Sequence, residues 1–541
     1  MSQMLRSSGA MAAATLTSRV LGMVREIVYA RFMGTSWVAS AFLLAFQIPN
    51  LFRRLLGEGA LTAAFIPVFK EKEKLEGDRA MWHAANAVIS ALLVVTCALV
   101  GAGLLGLSLA LAWGGQVEGE TTRLSARTLL MLELLRAMLP YLLLVCLAAV
   151  FMGMLNARGH FFVPALGAAL LNVVMIASVL WLAPQFGRHL PEEHRLPAQI
   201  FALAIGVVAA GFAQAGFQLP LLWREGFRWR WVTPWRDETV RRVVRQMLPA
   251  TLGVAAFQIN VVTVNLLAYW ADDYVVASFQ YAVRLMELPQ GLFGISLATY
   301  LLPTLSGLAA EKNYEGFRSE LRQGLGYLLF LNWIASALLV ALAEPIIRLL
   351  FERGRFDAVS THQATLALMC LAPGLVAFST VNVLARAFYA LGDTHTPMRI
   401  SVFCLALNLL LAGALVWQFK QAGLGLANTA TSALNVGLLT YALRRKLRTL
   451  NFGEVRAACW RLGALAALAG VLAWALWQWW ERALGHATLP LKLGAVFVPA
   501  GVAGAFYLGV AWLLRVRAAR EMGAMLWRKP GRSPAASNPN A

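Results

Sequence analysis

Arginine and glutamate side chains lie inside segments of this sequence that are otherwise apolar enough to cross a membrane. The first segment carries Arg19, Arg25 and Glu26, the second carries Arg53, and a segment in the second half carries Arg284. A charge at the centre of a bilayer costs roughly 2.5–3.5 kcal/mol on insertion scales unless it faces a polar interior. Arginine presents a planar set of donors that suits phosphate and stays charged where hydration is poor. These residues therefore predict a site for an anionic ligand, with phosphate favoured over carboxylate.

The composition is typical of a polytopic membrane protein. Of the 541 residues, 59% are hydrophobic and 14% are charged, whereas soluble domains are about 45–50% apolar and about 25% charged. The net charge of +20 comes mainly from short clusters of Lys and Arg between apolar runs. That pattern indicates cytoplasmic loops that follow the positive-inside rule, and it argues against a nucleic-acid partner.

Apolar runs of bilayer length predict about fourteen transmembrane helices in an all-α fold. The expected spans are residues 10–33, 38–67, 82–113, 127–155, 163–184, 198–223, 242–270, 275–308, 317–343, 361–390, 398–418, 424–443, 459–480 and 491–514. If the amino terminus lies in the cytoplasm, the loops rich in Lys and Arg also fall on that side, which places both termini in the cytoplasm.

Two pairs of similar motifs in the sequence indicate an internal repeat. Residues 157–164 and 390–397 share the pattern A-x-G-x4-P, and residues 38–42 resemble 276–279 at a similar offset. Each copy holds six helices, so the copies have the same orientation and are parallel repeats, which place a substrate site between them. The predicted division is an N-lobe (1–223), a basic cytoplasmic linker (224–241), a C-lobe (242–446), two further helices (447–515) and a cytoplasmic tail (516–541).

Helix breakers occur at corresponding places in the two copies. Pro49 and Gly57 interrupt the second expected span, and Pro289 and Gly291 interrupt the eighth. Such breakers predict helices that bend around a site. The sequence contains no ATP-binding phosphate loop and no catalytic or metal-ligating constellation, so it favours transport without a cofactor over catalysis. The driving force could be either a coupling ion or the membrane potential, and the sequence does not choose between them.

Several motifs resemble the signatures of the MurJ (MviN) lipid II flippases. They are Ser18-Arg-Val-Leu-Gly-Met-Val-Arg-Glu26, Pro49-Asn-Leu-Phe-Arg-Arg54, Glu58-Gly-Ala60, Phe65-Ile-Pro67 and Arg284-Leu-Met-Glu-Leu-Pro289. The resemblance covers almost the whole chain. It implies the fold of the multidrug/oligosaccharidyl-lipid/polysaccharide exporter superfamily, with two six-helix lobes and two additional helices. It also implies transport of undecaprenyl-diphosphate-linked disaccharide-pentapeptide from the inner to the outer leaflet of the bacterial cytoplasmic membrane.

The resemblance also implies which residues act. The expected substrate-binding residues are Arg19, Arg25, Glu26, Arg53 and Arg284, and the possible gating or hinge residues are Ser18, Pro49, Asn50, Glu58, Glu287 and Pro289. The last two helices would offer a groove for the polyprenyl tail. This chain departs from many relatives at Ser40 and Val283, where they carry aspartates, which puts any coupling role of those acids in doubt here.

Other interpretations of the sequence stay open. The arginines could instead pair with Glu26, Glu58 and Glu287 and lock helices together, although ligand contact is favoured for Arg25 and Arg284. The substrate could be another prenyl-diphosphate-linked glycan, or the chain could be an ion-coupled exporter of the same superfamily. A membrane glycosyltransferase would need catalytic carboxylates in an outer loop. The basic residues 224–245 could dock cell-wall synthesis or division machinery, although a topological determinant that touches anionic lipid is favoured for them. The expected partners are lipid II and membrane phospholipids.

Overall fold

The computed structural model describes residues 2–57, 60–115, 124–447 and 453–521. All long elements among them are helices. The first ten are α1 Ser2–Met33, α2 Trp37–Phe52, α3 Ala60–Glu76, α4 Asp78–Gly115, α5 Ala126–Met138, α6 Tyr141–Ala157, α7 Phe162–Ala177, α8 Glu192–Gly216, α9 Leu219–Arg224 and α10 Glu238–Ala271. The others are α11 Val275–Pro289, α12 Ser296–Ala310, α13 Tyr314–Ala341, α14 Ala343–Phe351, α15 Ala358–Leu371, α16 Gly374–Ala390, α17 His395–Lys446, α18 Gly453–Ala483 and α19 Leu489–Leu513.

Many of these helices are long and apolar enough to cross a membrane. Eight helical stretches of the described residues meet that condition, or ten if the bent pairs α5–α6 (42°) and α15–α16 (44°) each count as one span. The prediction of an all-α polytopic membrane protein is therefore confirmed, while the count of about fourteen spans stays a prediction.

The 52-residue helix α17 corresponds to two expected spans. At about 1.5 Å per residue it is far longer than the roughly 30 Å of a hydrocarbon core. Its backbone leaves the helical region at Lys420, where φ is 51° and ψ is −129°. The break falls between the spans expected at 398–418 and 424–443.

The predicted interruptions of two helices are present. A π-helical turn at Arg53–Gly57 follows Pro49 by four residues, and another at Gln290–Ile295 directly follows Pro289. Proline lacks the amide donor of the regular helix ladder, and π-helical turns frequently accompany functional sites in helices. Both interruptions lie beside candidate site residues.

The chain forms two compact units by its internal contacts. Unit 1 contains Met1–Tyr281, Leu350–Ala364 and Leu405–Leu424, and unit 2 contains Ala282–Leu349, Thr365–Cys404 and Gly425–Ala541. In unit 2, α18 and α19 pack against each other and against α13, and the buried Tyr507 hydroxyl donates to the carbonyl of Phe330 at 2.9 Å. The lobe boundaries derived from the repeat stay a prediction.

The two A-x-G-x4-P motifs form the same helix-ending turn. Gly159 has φ +86° and Gly392 has φ +73°, a region that favours glycine. The next amide donates to a carbonyl five residues earlier in each copy, His160 to Leu155 and Asp393 to Phe388. This agreement supports the repeat at the level of local structure.

The turn in the second copy contains an acid that stabilises it through charge. Asp393 accepts hydrogen bonds from Thr396 and from Lys446 Nζ, the latter at 2.7 Å. The Lys446 ammonium is the main cause that lowers the pKa of Asp393 to about 2. A lowered pKa means that this stabilisation is present above the unfolded pKa near 4 and is lost as the pH falls towards 2.

We expect Lys446→Met to reduce stability at pH 7 by about 0.2–1 kcal/mol, because the pair is partly exposed to solvent. The measurement is Tm of the purified protein between pH 7 and pH 2, with exposed Arg445→Met as the control. The deficit of Lys446→Met should disappear at the acid end. A deficit that does not change with pH would show that the ion pair is not its cause.

Candidate anion site in the membrane-spanning helices

Arg25 and Glu26 form an ion pair within α1. Arg25 Nη2 lies 2.6 Å from Glu26 Oε1, and the two side chains are 13% and 8% exposed. The guanidinium carbon of Arg25 also lies 5.5 Å from the ring centroid of Tyr29. Arg25 Nε is buried and makes no hydrogen bond with the described residues. The guanidinium is therefore held in place from one side, while its Nε donor is left without a hydrogen-bond partner among the described residues.

Arg53 is positioned by the break in the second span. Its Nε donates to Asn50 Oδ1 at 2.9 Å, and its backbone amide donates to the carbonyls of Pro49 and Asn50. Pro49 is buried, whereas Asn50 and Arg53 are half-buried. Three residues predicted to bind or bend are thus brought into one local arrangement.

Arg284 lies on α11, one turn before its end. Arg284 Nη1 donates to Glu287 Oε2 at 2.8 Å, and the side chains are 39% and 49% exposed. Pro289 is buried at the end of the same helix. Arg284 belongs to unit 2 and Arg25 to unit 1, so a site that contains both stays a prediction.

The remaining candidates have different surroundings. The Ser18 carbonyl accepts a hydrogen bond from Asn172 Nδ2 at 3.1 Å, which joins α1 to α7. Arg19 is exposed. Glu58 lies outside the described residues. The described part of the chain contains no group of three His, Cys, Asp or Glu placed to hold a metal.

A polar cluster that sequence reasoning missed lies at the α1–α2 end of unit 1. We call it the end cap, and its members are Gly34–Ser36, Ser40, Arg127, Tyr269, Asp273 and 353–363. Arg127 forms an ion pair with Asp273, and its guanidinium carbon lies 4.0 Å from the ring centroid of Tyr269. The Tyr269 hydroxyl donates back to the Arg127 carbonyl at 2.8 Å. These contacts join α5 to the end of α10.

Ser40, one of the two positions at which this chain departs from many relatives, belongs to this end cap. It is fully buried, and its hydroxyl donates to the carbonyl of Asp273 at 2.5 Å. An ionised carboxylate has no proton to donate to a carbonyl. Serine at this position therefore stabilises the corner between α10 and α11 in a way that an aspartate could not reproduce.

Residues far apart in the chain meet in the other part of the end cap. Thr35 Oγ1 lies 2.9 Å from Ser360 Oγ and donates to Gln363 Oε1 at 2.8 Å. The Arg355 amide donates to the Arg31 carbonyl at 3.0 Å. The turn after α1 is thus fixed to a segment of the second half of the chain, within unit 1.

An all-helical fold with several bilayer-length apolar helices defines a polytopic membrane protein, and charged side chains inside such helices commonly mark a transport pathway. Two solved structures share the fold. One is titled "Lipid II flippase MurJ, inward closed conformation", with a TM-score of 0.71 and 20% identity over 92% of this chain and 98% of that one. The other is an inward-facing multidrug resistance MATE family transporter of the MOP superfamily, with a TM-score of 0.63 and 15% identity over 82% of this chain and 98% of that one.

Sequence comparison gives the family. The family described as "Lipid II flippase MurJ" matches residues 29–493. The probable lipid II flippase MurJ of Vibrio cholerae is 33% identical over 95% of this chain and 97% of its own length. The lipid II flippase MurJ of Burkholderia cenocepacia is 31% identical over 92% and 95%. This chain belongs to the MurJ lipid II flippase family, which confirms the resemblance and the prediction of a transporter that is not an enzyme.

Proposed function

We propose that this chain moves lipid II, the undecaprenyl-diphosphate-linked disaccharide-pentapeptide, from the inner to the outer leaflet of the bacterial cytoplasmic membrane. Family membership supports this substrate. The observation that carries the site is Arg25, a nearly buried guanidinium with a donor that the described residues leave unused. Hydrogen bonds to charged groups contribute about 1.5–3 kcal/mol each, so a diphosphate would gain substantially there.

The carboxylates beside the arginines suit a transporter that must also return empty. Glu26 pairs with Arg25 and Glu287 pairs with Arg284, each within one helix. An uncompensated buried charge costs several kcal/mol, so Glu26 would neutralise the nearly buried Arg25 when no substrate is bound. In the loaded state the diphosphate would compete for the same donors. Alternating access follows if Arg19, Arg53 and the other cationic residues come closer together when the ligand is bound than when the site is empty.

The proposal also includes a binding groove for the polyprenyl tail, the orientation of the chain in the membrane and further partners. The last two membrane helices, α18 and α19, would offer a groove for the polyprenyl tail. Both termini and the loops rich in Lys and Arg would face the cytoplasm. Membrane phospholipids and cell-wall synthesis or division machinery are the further partners that we propose.

The test is leaflet-resolved measurement of lipid II in cells depleted of their own flippase. We expect the wild-type chain to restore lipid II in the outer leaflet and the Arg25→Ala variant, at equal membrane abundance, to fail. If neither chain restores it although both insert, the substrate assignment is wrong and other prenyl-diphosphate-linked glycans are tested next. If both restore it equally, lipid II is the substrate but Arg25 is not part of its site.

A further inference from the structure

The segment between α9 and α10 is held against α4 by hydrogen bonds; residues 227–233 have no regular secondary structure, and a 3-10 turn at Pro234–Arg236 follows them. We call residues 227–236 the linker strap. Asn86 Nδ2 donates to the Arg228 carbonyl at 3.0 Å, and the Arg230 amide donates to Asn86 Oδ1 at 3.1 Å. The Val232 amide donates to Ser90 Oγ at 3.2 Å. Asn86 and Ser90 are buried, so α4 supplies the strap with partners that a neighbouring strand would otherwise provide.

An aromatic contact anchors the start of the linker strap. Phe227 is buried, with its ring centroid 5.6 Å from that of Trp82 and 6.2 Å from that of Phe151. At the other end, Pro234 is buried, and the Asp237 carboxylate accepts the first amides of α10. The strap is therefore a positioned surface element.

The exposed side chains of the linker strap include both tryptophan and arginine. Its tryptophans Trp229, Trp231 and Trp235 are 54%, 53% and 62% exposed. The arginines between and beside them are exposed as well: Arg228, Arg230 and Arg236. Tryptophan is enriched where hydrocarbon meets headgroups, because its ring is apolar and its N–H needs a polar partner. Arginine beside it suits a negatively charged surface.

The depth of the linker strap agrees with a position at the membrane surface. Asn86 lies eight residues, or about 12 Å, along α4 from its start at Asp78. The interfacial layer on each side of the hydrocarbon core is roughly 5–8 Å thick. The membrane span expected on this helix begins at residue 82, four residues or about 6 Å before Asn86, so a strap bonded to Asn86 would lie at headgroup level. Its buried partners on α4 also pair its backbone groups, which would be costly to leave unpaired there.

Two of the acids that flank the linker strap, Glu225 and Asp237, are engaged elsewhere. Glu225 bonds Arg158 and His160, at 2.9 Å and 2.8 Å. Asp237 caps α10 and lies 3.3 Å from His83 Nε2. Positive charge therefore dominates the exposed side chains of the strap.

We propose that the linker strap binds anionic phospholipid headgroups at the membrane surface that carries the basic loops. The arginines would contact the phosphates while the tryptophans enter the layer beneath them. Each basic residue near an anionic membrane surface adds to the electrostatic attraction. The tryptophans favour a lipid surface over an acidic protein, because three exposed indoles within seven residues match a boundary between apolar and polar layers.

The test compares thermal stabilisation of the detergent-purified full chain by phosphatidylglycerol and by phosphatidylcholine with the same acyl chains. We expect phosphatidylglycerol to raise Tm more, and the Arg230→Gln/Arg236→Gln double variant to lose at least half of that difference. The matched control is Arg444→Gln/Arg445→Gln, two exposed arginines at the end of α17, which should keep it. Equal stabilisation of wild type by the two lipids overturns the proposal, and so does an unchanged difference in the strap variant.

The tryptophans are tested separately in phosphatidylglycerol vesicles with bromine on the upper part of the acyl chains. The chain has 18 tryptophans, so the signal is the emission of wild type minus that of Trp229→Phe/Trp231→Phe. We expect bromine to quench most of this difference. A difference signal that is not quenched places the strap in water and favours an acidic protein partner, which overturns the lipid assignment. Neither measurement involves lipid II, so failure here leaves the proposed transport function untouched.

Discussion

Replacing Arg25 by glutamate is expected to abolish the growth of flippase-depleted cells that depend on this chain. The substitution places two carboxylates at adjacent positions, and the side chain of Glu26 is only 8% exposed. Breaking a buried ion pair by removing one partner costs about 3–5 kcal/mol. The reversed charge also repels a diphosphate. A loss of 3 kcal/mol in binding corresponds to roughly a hundredfold weaker complex.

Two further variants separate charge from geometry. Arg25→Lys keeps the charge but replaces the planar fork with a single ammonium, so we expect transport to fall about tenfold and not to disappear. Arg31→Gln removes an exposed arginine from the same helix and should behave like wild type. The measurement is the rate at which lipid II appears in the outer leaflet, normalised to membrane abundance. Full rescue by Arg25→Glu would remove Arg25 from the anion site.

The features that sequence predicted well depend on short-range physics. Runs of apolar residues identify membrane helices because the bilayer requires both length and internally satisfied backbone groups. Pro49 and Pro289 identify the interrupted helices because proline has no amide donor. The repeat predicted equivalent turns at Gly159 and Gly392, and both glycines have positive φ.

The features that sequence did not predict depend on contacts between distant residues. Thr35 and Ser360 are 325 positions apart, and no local pattern pairs them. Within α1, helical periodicity groups Arg19 with Glu26, and it does not predict that Arg25 bonds its neighbour Glu26. The partners of Ser40 could not be inferred either, because a buried hydroxyl can bond any nearby carbonyl. One sequence without an alignment carries no signal for such pairs.

Replacing Gly34 by alanine is also expected to abolish the growth of flippase-depleted cells that depend on this chain. The cause in this case is a collision in the end cap. Gly34 has φ +56° and Gly354 has φ +62°, and each lies against the backbone of the other turn. A Cβ on Gly34 would collide with the Arg355 carbonyl oxygen, and a Cβ on Gly354 would lie 2.5 Å from the Arg31 carbonyl oxygen. Backbone atoms cannot move aside as a flexible side chain can. The left-handed conformation adds roughly 1–2 kcal/mol for a residue with a Cβ.

The end cap lies on the side of the membrane that is predicted to face away from the cytoplasm. If transport requires this end to close in one state, Gly34→Ala disfavours that state and stops the cycle. The matched control is Gly77→Ala, since Gly77 has φ +82° but nothing within 4 Å of its Cβ position. It carries the same backbone strain without the collision, so we expect it to support growth while Gly34→Ala does not.

The closed state is followed with a cysteine at position 39 in a chain whose five native cysteines are replaced. Ala39 is fully buried between Ser36 and Ser40 of the end cap, and its amide donates to Ser36 Oγ. An impermeant thiol reagent added outside should label Ala39→Cys slowly in the Gly77→Ala background and at least tenfold faster in the Gly34→Ala background. Loss of growth with faster labelling identifies the end cap as an outer gate. Loss of growth with unchanged labelling would mean that the turn at Gly34 matters for folding and not for closure.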